Sequence, residues 1–159
     1  MNTNLYTDIS FRVNGKQYGL KAKNNWTLLK LLRDTLGLAG TKRGCDTGDC
    51  GACVVIIGRK ACHSCLILAP DVDGKEITTI EGLSVDESID PIQKMFMNEG
   101  AYQCGFCIPG MVMSSKALLA DNPKATLDDV KRALDGHLCR CGTYSQILNA
   151  FAARESDEE

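Results

Sequence analysis

Nine cysteines are the residues of this 159-residue chain whose type and spacing most invite chemistry. Cys45, Cys50, Cys53, Cys62 and Cys65 share one short stretch; Cys104, Cys107, Cys139 and Cys141 follow much later. Cysteine at this density means disulfides, metal ligation or redox chemistry. An odd count leaves one thiol over in any all-disulfide scheme. The opening residues 1–8 carry neither the positive region nor the apolar stretch of an export signal. The expected compartment is therefore the reducing cytoplasm, where structural disulfides are rare. Nine then reads as four plus four plus one, two four-thiolate metal centres and a spare.

The first group runs Gly44-Cys45-Asp46-Thr47-Gly48-Asp49-Cys50-Gly51-Ala52-Cys53, a C-x4-C-x2-C pattern, with Cys65 following after eleven intervening residues. This is the plant-type arrangement for a 2Fe–2S cluster. Such a cluster is anionic, and a chain wraps an anion by aiming backbone N–H groups at it. Gly44, Gly48 and Gly51 provide the close approach and the positive φ that this wrapping needs. Two other readings compete. Cys50, Cys53, Cys62 and Cys65 also spell C-x2-C-x8-C-x2-C, a tetrahedral zinc pattern that would leave Cys45 idle. Cys62-His63-Ser64-Cys65 is a thioredoxin-like C-x-x-C in form, but the sequence puts it in a strand and not on a strand-to-helix turn. Cys62 is taken as the spare, a small packing residue.

The second group pairs Gln103-Cys104-Gly105-Phe106-Cys107 with Cys139-Arg140-Cys141, 31 residues apart. Cys104 and Cys107 precede a helix that Pro109 can start, and the C-x-C pair precedes the last helix. Two helix N-termini would face one site, and their free N–H groups and positive dipole ends suit an anionic cluster. A structural zinc remains open here too. His63 and His137 have no partner at ligand spacing and read as surface or packing residues; Phe106 reads as packing and not as an electron path. No activated base, nucleophile pair or phosphate loop stands out, so no catalytic residue is assigned.

Several elements must position these thiols. Ile9, Phe11 and Val13 alternate with polar residues, Asn14-Gly15 turns the chain, and Lys16 to Leu20 return it as a hairpin. Leucines between Thr27 and Leu38 recur at helical spacing. A second strand pair runs Val54 to Ile57 and Lys60 to Leu66, and Ile77 to Ile80 forms a last short strand. Glu81 to Asp90 is acidic and aperiodic and reads as a linker. Helices follow around Ile92–Phe96 and Met111–Leu119. Another begins at a capping box of Thr126 and Asp129, and a last one spans Tyr144–Phe151, with Arg154 to Glu159 as a frayed end. The fold class is α+β: a sheet domain over residues 1–80, a linker over 81–90 and a helical domain over 91–159. Acidic residues outnumber basic by 20 to 18, which argues against a nucleic-acid binder. The longest apolar runs fall far short of a membrane span.

At these residues the sequence resembles the iron–sulfur (small) subunit of the molybdenum hydroxylases, the xanthine dehydrogenase, aldehyde oxidoreductase and carbon monoxide dehydrogenase type. The matching stretches are residues 44–53, Ser64-Cys65-Leu66, residues 103–107, Pro109-Gly110-Met111 and Leu138-Cys139-Arg140-Cys141. The family commonly has Thr where this chain has Val54 and Ile108, and Thr-Gly where it has Gly142-Thr143; none of these differences removes a ligand. The resemblance implies a ferredoxin-like β-grasp domain followed by a four-helix domain, each holding one 2Fe–2S cluster. Cys45, Cys50, Cys53 and Cys65 would hold the first, and Cys104, Cys107, Cys139 and Cys141 the second. It also implies a large partner subunit carrying molybdopterin, contacted by Gln103 and approached by Cys139, and a medium subunit carrying FAD. The implied function is one-electron transfer during hydroxylation of a heterocycle or aldehyde on the partner; a free-standing 2Fe–2S electron carrier or a zinc-stabilised binding module is the alternative.

Overall fold

A computed structural model describes residues 5–84 and 88–157. Strands β1 (Tyr6–Val13) and β2 (Lys16–Lys23) form the expected hairpin. Asn14 and Gly15 turn it at φ of 51° and 76°, the left-handed pair that matches a two-residue turn to strand twist. Alternation sends Ile9, Phe11 and Val13 into the core and Ser10 and Arg12 to the surface.

The Thr27 hydroxyl accepts the Lys30 N–H and opens a short helix, α1 (Leu28–Lys30). The regular helix expected to reach Leu38 does not form. The chain widens into a π-helical turn over Leu31–Thr35, with the Leu36 N–H on the Leu31 carbonyl. Single turns of this kind concentrate at functional sites. Leu28, Leu31 and Leu32 pack into the sheet core, while Leu29 turns away from it onto Cys53 and Cys65.

The sheet has the order β2-β1-β5-β3-β4, with β3 (Val54–Ile57), β4 (Lys60–His63) and β5 (Glu76–Thr78). Strand β5 runs parallel to β1 and antiparallel to β3. The second expected strand pair is shorter than its sequence suggested. The strand ends at His63, where the Ser64 N–H still meets the Cys53 carbonyl in register, at 3.3 Å, and the Ser64 hydroxyl adds a second bond to it at 2.7 Å. Residues 64–66 then form a 3₁₀ turn, so Cys65 lies off the strand. The last strand stops at Thr78, and Ile80–Gly82 forms another such turn. The Glu81 carboxylate secures that turn by accepting the Gly40 N–H and the Thr79 hydroxyl. Residues 85–87 of the expected linker lie outside the described residues.

Four helices complete the α+β fold: α2 (Pro91–Asn98), α3 (Ile108–Asp121), α4 (Leu127–Leu134) and α5 (Tyr144–Asp157). Asp90 and Gln93 form a capping box on α2, and Thr126 and Asp129 form the expected one on α4. Asp90 also accepts Lys116 Nζ at 2.5 Å, tying α2 to α3. The end expected to fray instead continues α5 to Asp157, and the Arg154 guanidinium donates to the Pro123 carbonyl. Ile92, Phe96, Met111, Val112, Val130, Leu134, Ile147 and Phe151 form the helical core, with Phe96 and Phe151 edge to face.

Helix α3 joins the two halves. The run Val54-Val55-Ile56-Ile57 is apolar throughout because β3 is covered on both faces. Val55 faces the sheet core, and Val54 and Ile56 face Met113 and Ala117 of α3. At the N-terminal end of α3 the backbones nearly touch: a Cβ on Gly110 would lie 2.2 Å from the Gly51 carbonyl oxygen and 3.1 Å from Ala52 Cα. Neither is a side chain that can swing away. Gly110→Ala should therefore destabilise the chain by about 1–3 kcal/mol through overpacking, read from denaturant unfolding; an unchanged midpoint would show that the backbones can part. Thr126→Ala should cost about 1 kcal/mol, the usual loss of an N-cap, with no change in either cysteine group.

Candidate iron–sulfur sites

Local geometry converts the first cysteine group into a cup. The loop between Cys45 and Cys53 folds its backbone onto its own sulfurs. The N–H groups of Thr47 and Asp49 donate to Cys45 Sγ at 3.4 and 3.2 Å, and that of Cys45 donates to Cys50 Sγ at 3.3 Å. Asp46, Gly48 and Gly51 take positive φ. The sequence pointed to three glycines, but Gly44 serves by size alone: a Cβ there would sit 2.6 Å from Cys50 Sγ. The non-glycine Asp46 takes the third left-handed position. Cys53 and Cys65 close the floor of the cup against Leu29. Cys62 stays outside, half-buried on β4, with its sulfur 3.5 Å from the Lys60 carbonyl.

The second group is assembled by two helix starts, as the sequence suggested. Cys107 is the residue immediately before α3. Thr143 immediately precedes α5, and its hydroxyl lies 3.2 Å from Cys139 Sγ. Gly105 and Gly142, at φ of 79° and 82°, turn the two cysteine loops. Gln103 is exposed at the rim and donates from Nε2 to the Cys141 carbonyl at 3.1 Å. Phe106, expected to pack, is instead 46% exposed beside Cys107.

The thiols in each group divide by how readily they ionise. The Thr47 hydroxyl and N–H hold Cys45 down to about 6. Burial, with Cys53 alongside, pushes Cys65 up to about 12. In the second group the Phe106 N–H, with Cys141, lowers Cys104. Burial raises Cys139, but Thr143, Cys107 and the Gly142 N–H outweigh it and bring it to about 7. Burial, with Cys139 alongside, lifts Cys107 to about 12. Each group thus joins at least one thiol that ionises more readily than usual to a buried thiol that resists ionisation. That donor set fits a thiolate-bound iron cluster, since ligation requires deprotonated sulfur and supplies the compensating cation.

The two groups are neighbours across the α3 joint. The Leu138 N–H donates to the Cys50 carbonyl at 3.1 Å, linking a cysteine of the first group to the residue before Cys139. His137, read as surface or packing, is a packing residue at this joint: it is buried and its Nε2 lies 2.7 Å from Ser114 Oγ. Burial, with His63 adding to it, lowers its pKa to about 4, so the ring is neutral. The roles of Thr47, Ser114 and Thr143 were not read from the sequence. Only Thr143 left a trace there, as a hydroxyl residue directly before a helix.

Known proteins similar to this chain agree with that geometry. A model described as a 2Fe-2S iron-sulfur cluster binding domain matches residues 11–84, and one described as a 2Fe-2S binding domain matches residues 79–152. A nicotinate dehydrogenase subunit of Pseudomonas putida is 43% identical over 146 residues, covering 92% of this chain and 93% of its own. The aldehyde oxidoreductase iron-sulfur-binding subunit PaoA of Escherichia coli is 39% identical over 158 residues, 90% of this chain and 69% of its own. Among solved structures, quinoline 2-oxidoreductase from Pseudomonas putida 86 superposes with a TM-score of 0.88 at 38% identity, covering 96% of this chain and 98% of that one. The aldehyde oxidoreductase of Desulfovibrio gigas gives 0.87 at 36% identity, covering 96% of this chain and 18% of that longer one. With both cluster-binding models in series, and relatives this similar along nearly its whole length, the chain belongs to the iron–sulfur subunit family of the molybdenum hydroxylases and is part of an oxidoreductase.

Proposed function

We propose that this chain is the electron relay of a multi-subunit molybdenum hydroxylase. Cys45, Cys50, Cys53 and Cys65 hold one 2Fe–2S cluster, and Cys104, Cys107, Cys139 and Cys141 hold the other. When bound, each cluster accepts and releases one electron at a time. The reading rests chiefly on one observation, the Leu138 N–H on the Cys50 carbonyl. It gives a path of covalent bonds and a single hydrogen bond from a ligand of one quartet to a ligand of the other. The backbone N–H groups around Cys45 and Cys50 stabilise negative charge on the first quartet, and the starts of α3 and α5 do so for the second.

In this reading the second quartet faces a large subunit bearing molybdopterin, with Gln103 contacting the pterin and Cys139 near it. Exposed Tyr102, Phe106 and Leu138 beside these cysteines favour such a buried contact. The first quartet passes electrons on to FAD on a medium subunit, or to another acceptor. The substrate is a heterocycle or an aldehyde, oxidised on the large subunit. Residues 1–80 form the ferredoxin-like domain, 81–90 the linker and 91–159 the helical domain. Among the described residues no helix is long and apolar enough to cross a membrane, and we place the complex in the cytoplasm.

The anaerobically purified complex should contain about four irons and four acid-labile sulfides per copy of this chain, together with a large molybdenum-bearing subunit. Iron-free material, or an active chain with no such partner, would overturn the reading. Cys104→Ser should remove one of two paramagnetic signals of the reduced protein and abolish turnover while the other signal persists. Cys62→Ser should leave both signals intact; loss of either would show that Cys62 is a ligand.

A further inference from the structure

The joint between the quartets holds a buried imidazole that neither quartet uses. His137 stands two residues before Cys139 and is 4% exposed. Its ring is fixed by Ser114 Oγ on α3, at 2.7 Å from Nε2. Its Nδ1 is buried without a partner among the described residues and lies over Gly51, where a Cβ would come within 2.4 Å of it. Its carbonyl accepts the Tyr144 hydroxyl from α5. The next residue along the chain supplies the N–H that meets the Cys50 carbonyl.

We propose that Ser114 and His137 are positioning residues that set the Leu138 N–H on the Cys50 carbonyl and so keep the two quartets coupled. This rests on the relay function above. An aliphatic side chain would fill the same space without leaving a ring nitrogen unpaired, so packing alone does not account for the imidazole. What the imidazole adds is direction. A hydroxyl on a rigid helix fixes the ring at one end, and the Tyr144 hydroxyl fixes the backbone at the other. Between those two anchors the Leu138 amide has one orientation, and it points at Cys50. Gly110 completes the device by letting α3 lie directly against Gly51, so the Ser114 anchor and the Cys50 acceptor share one rigid frame.

The test uses the cluster-loaded chain. Ser114→Ala removes the ring's partner without touching either cysteine loop. It should retain wild-type iron and sulfide and both paramagnetic signals. Deuterium exchange at the Leu138 amide should quicken at least tenfold, and electron transfer between the quartets should slow at least fivefold, with a smaller magnetic splitting between the reduced centres. Ser114→Thr, which keeps the hydroxyl, should restore all three. Wild-type exchange, rate and splitting in Ser114→Ala would overturn the proposal. Should that variant lose iron, the comparison passes to His137→Gln, whose amide still reaches Ser114, and His137→Leu, which cannot bond it. Protection of Leu138 in the first and its loss in the second supports the device, and equal exchange overturns it. A wild-type chain whose quartets never exchange electrons would instead sink the relay reading, while Leu138 exchange would still report on positioning.

Discussion

One close approach organises this molecule: the backbone at Gly51 and Ala52 lies flush against the start of α3. That contact admits no side chain on Gly110 and almost none on Gly51, because the space is taken by the Gly51 carbonyl and by the His137 ring. Everything linking the two cysteine groups depends on it. Were the halves separated by the width of one methyl group, Val54 and Ile56 would lose their cover on α3. The Leu138 amide would also fall short of Cys50. The joint is therefore at once a packing interface and a short path from sulfur to sulfur.

Within each group, protein electrostatics set a gradient from mouth to floor. Cys45 and Cys104 meet backbone N–H groups and lose their protons readily, whereas Cys65 and Cys107 are buried and hold theirs. Burying an unpaired thiolate is costly, so these two thiols keep their protons unless a positive charge is brought beside them.

Much of this was legible in the sequence because the cysteines obey strict spacing and the strands of the first hairpin alternate cleanly. Asn14-Gly15 announced its turn, and the Thr126–Asp129 box announced its helix. The cover that α3 lays on the second face of β3 was not read from its four apolar residues. The misses share a cause. The early end of β4 at His63 and the role of His137 both involve partners distant in the chain. The Cys53 carbonyl captures Ser64, and Ser114 on α3 meets a histidine on the loop before α5. Local periodicity carries no record of such pairings. Arg154 illustrates the same limit: its bond to Pro123 holds a helix end whose composition suggested fraying.

The double-faced strand β3 also constrains the order in which the molecule can be made. Val54 and Ile56 emerge from the ribosome well before Met113 and Ala117, which cover them. Until α3 has been synthesised, the nascent sheet displays a bare aliphatic stripe beside an unfilled cluster loop. Such a stripe invites wrong association, so the growing chain needs either a chaperone at this stage or rapid arrival of α3. The helical half thus shields the sheet during biosynthesis as well as joining it in the finished protein.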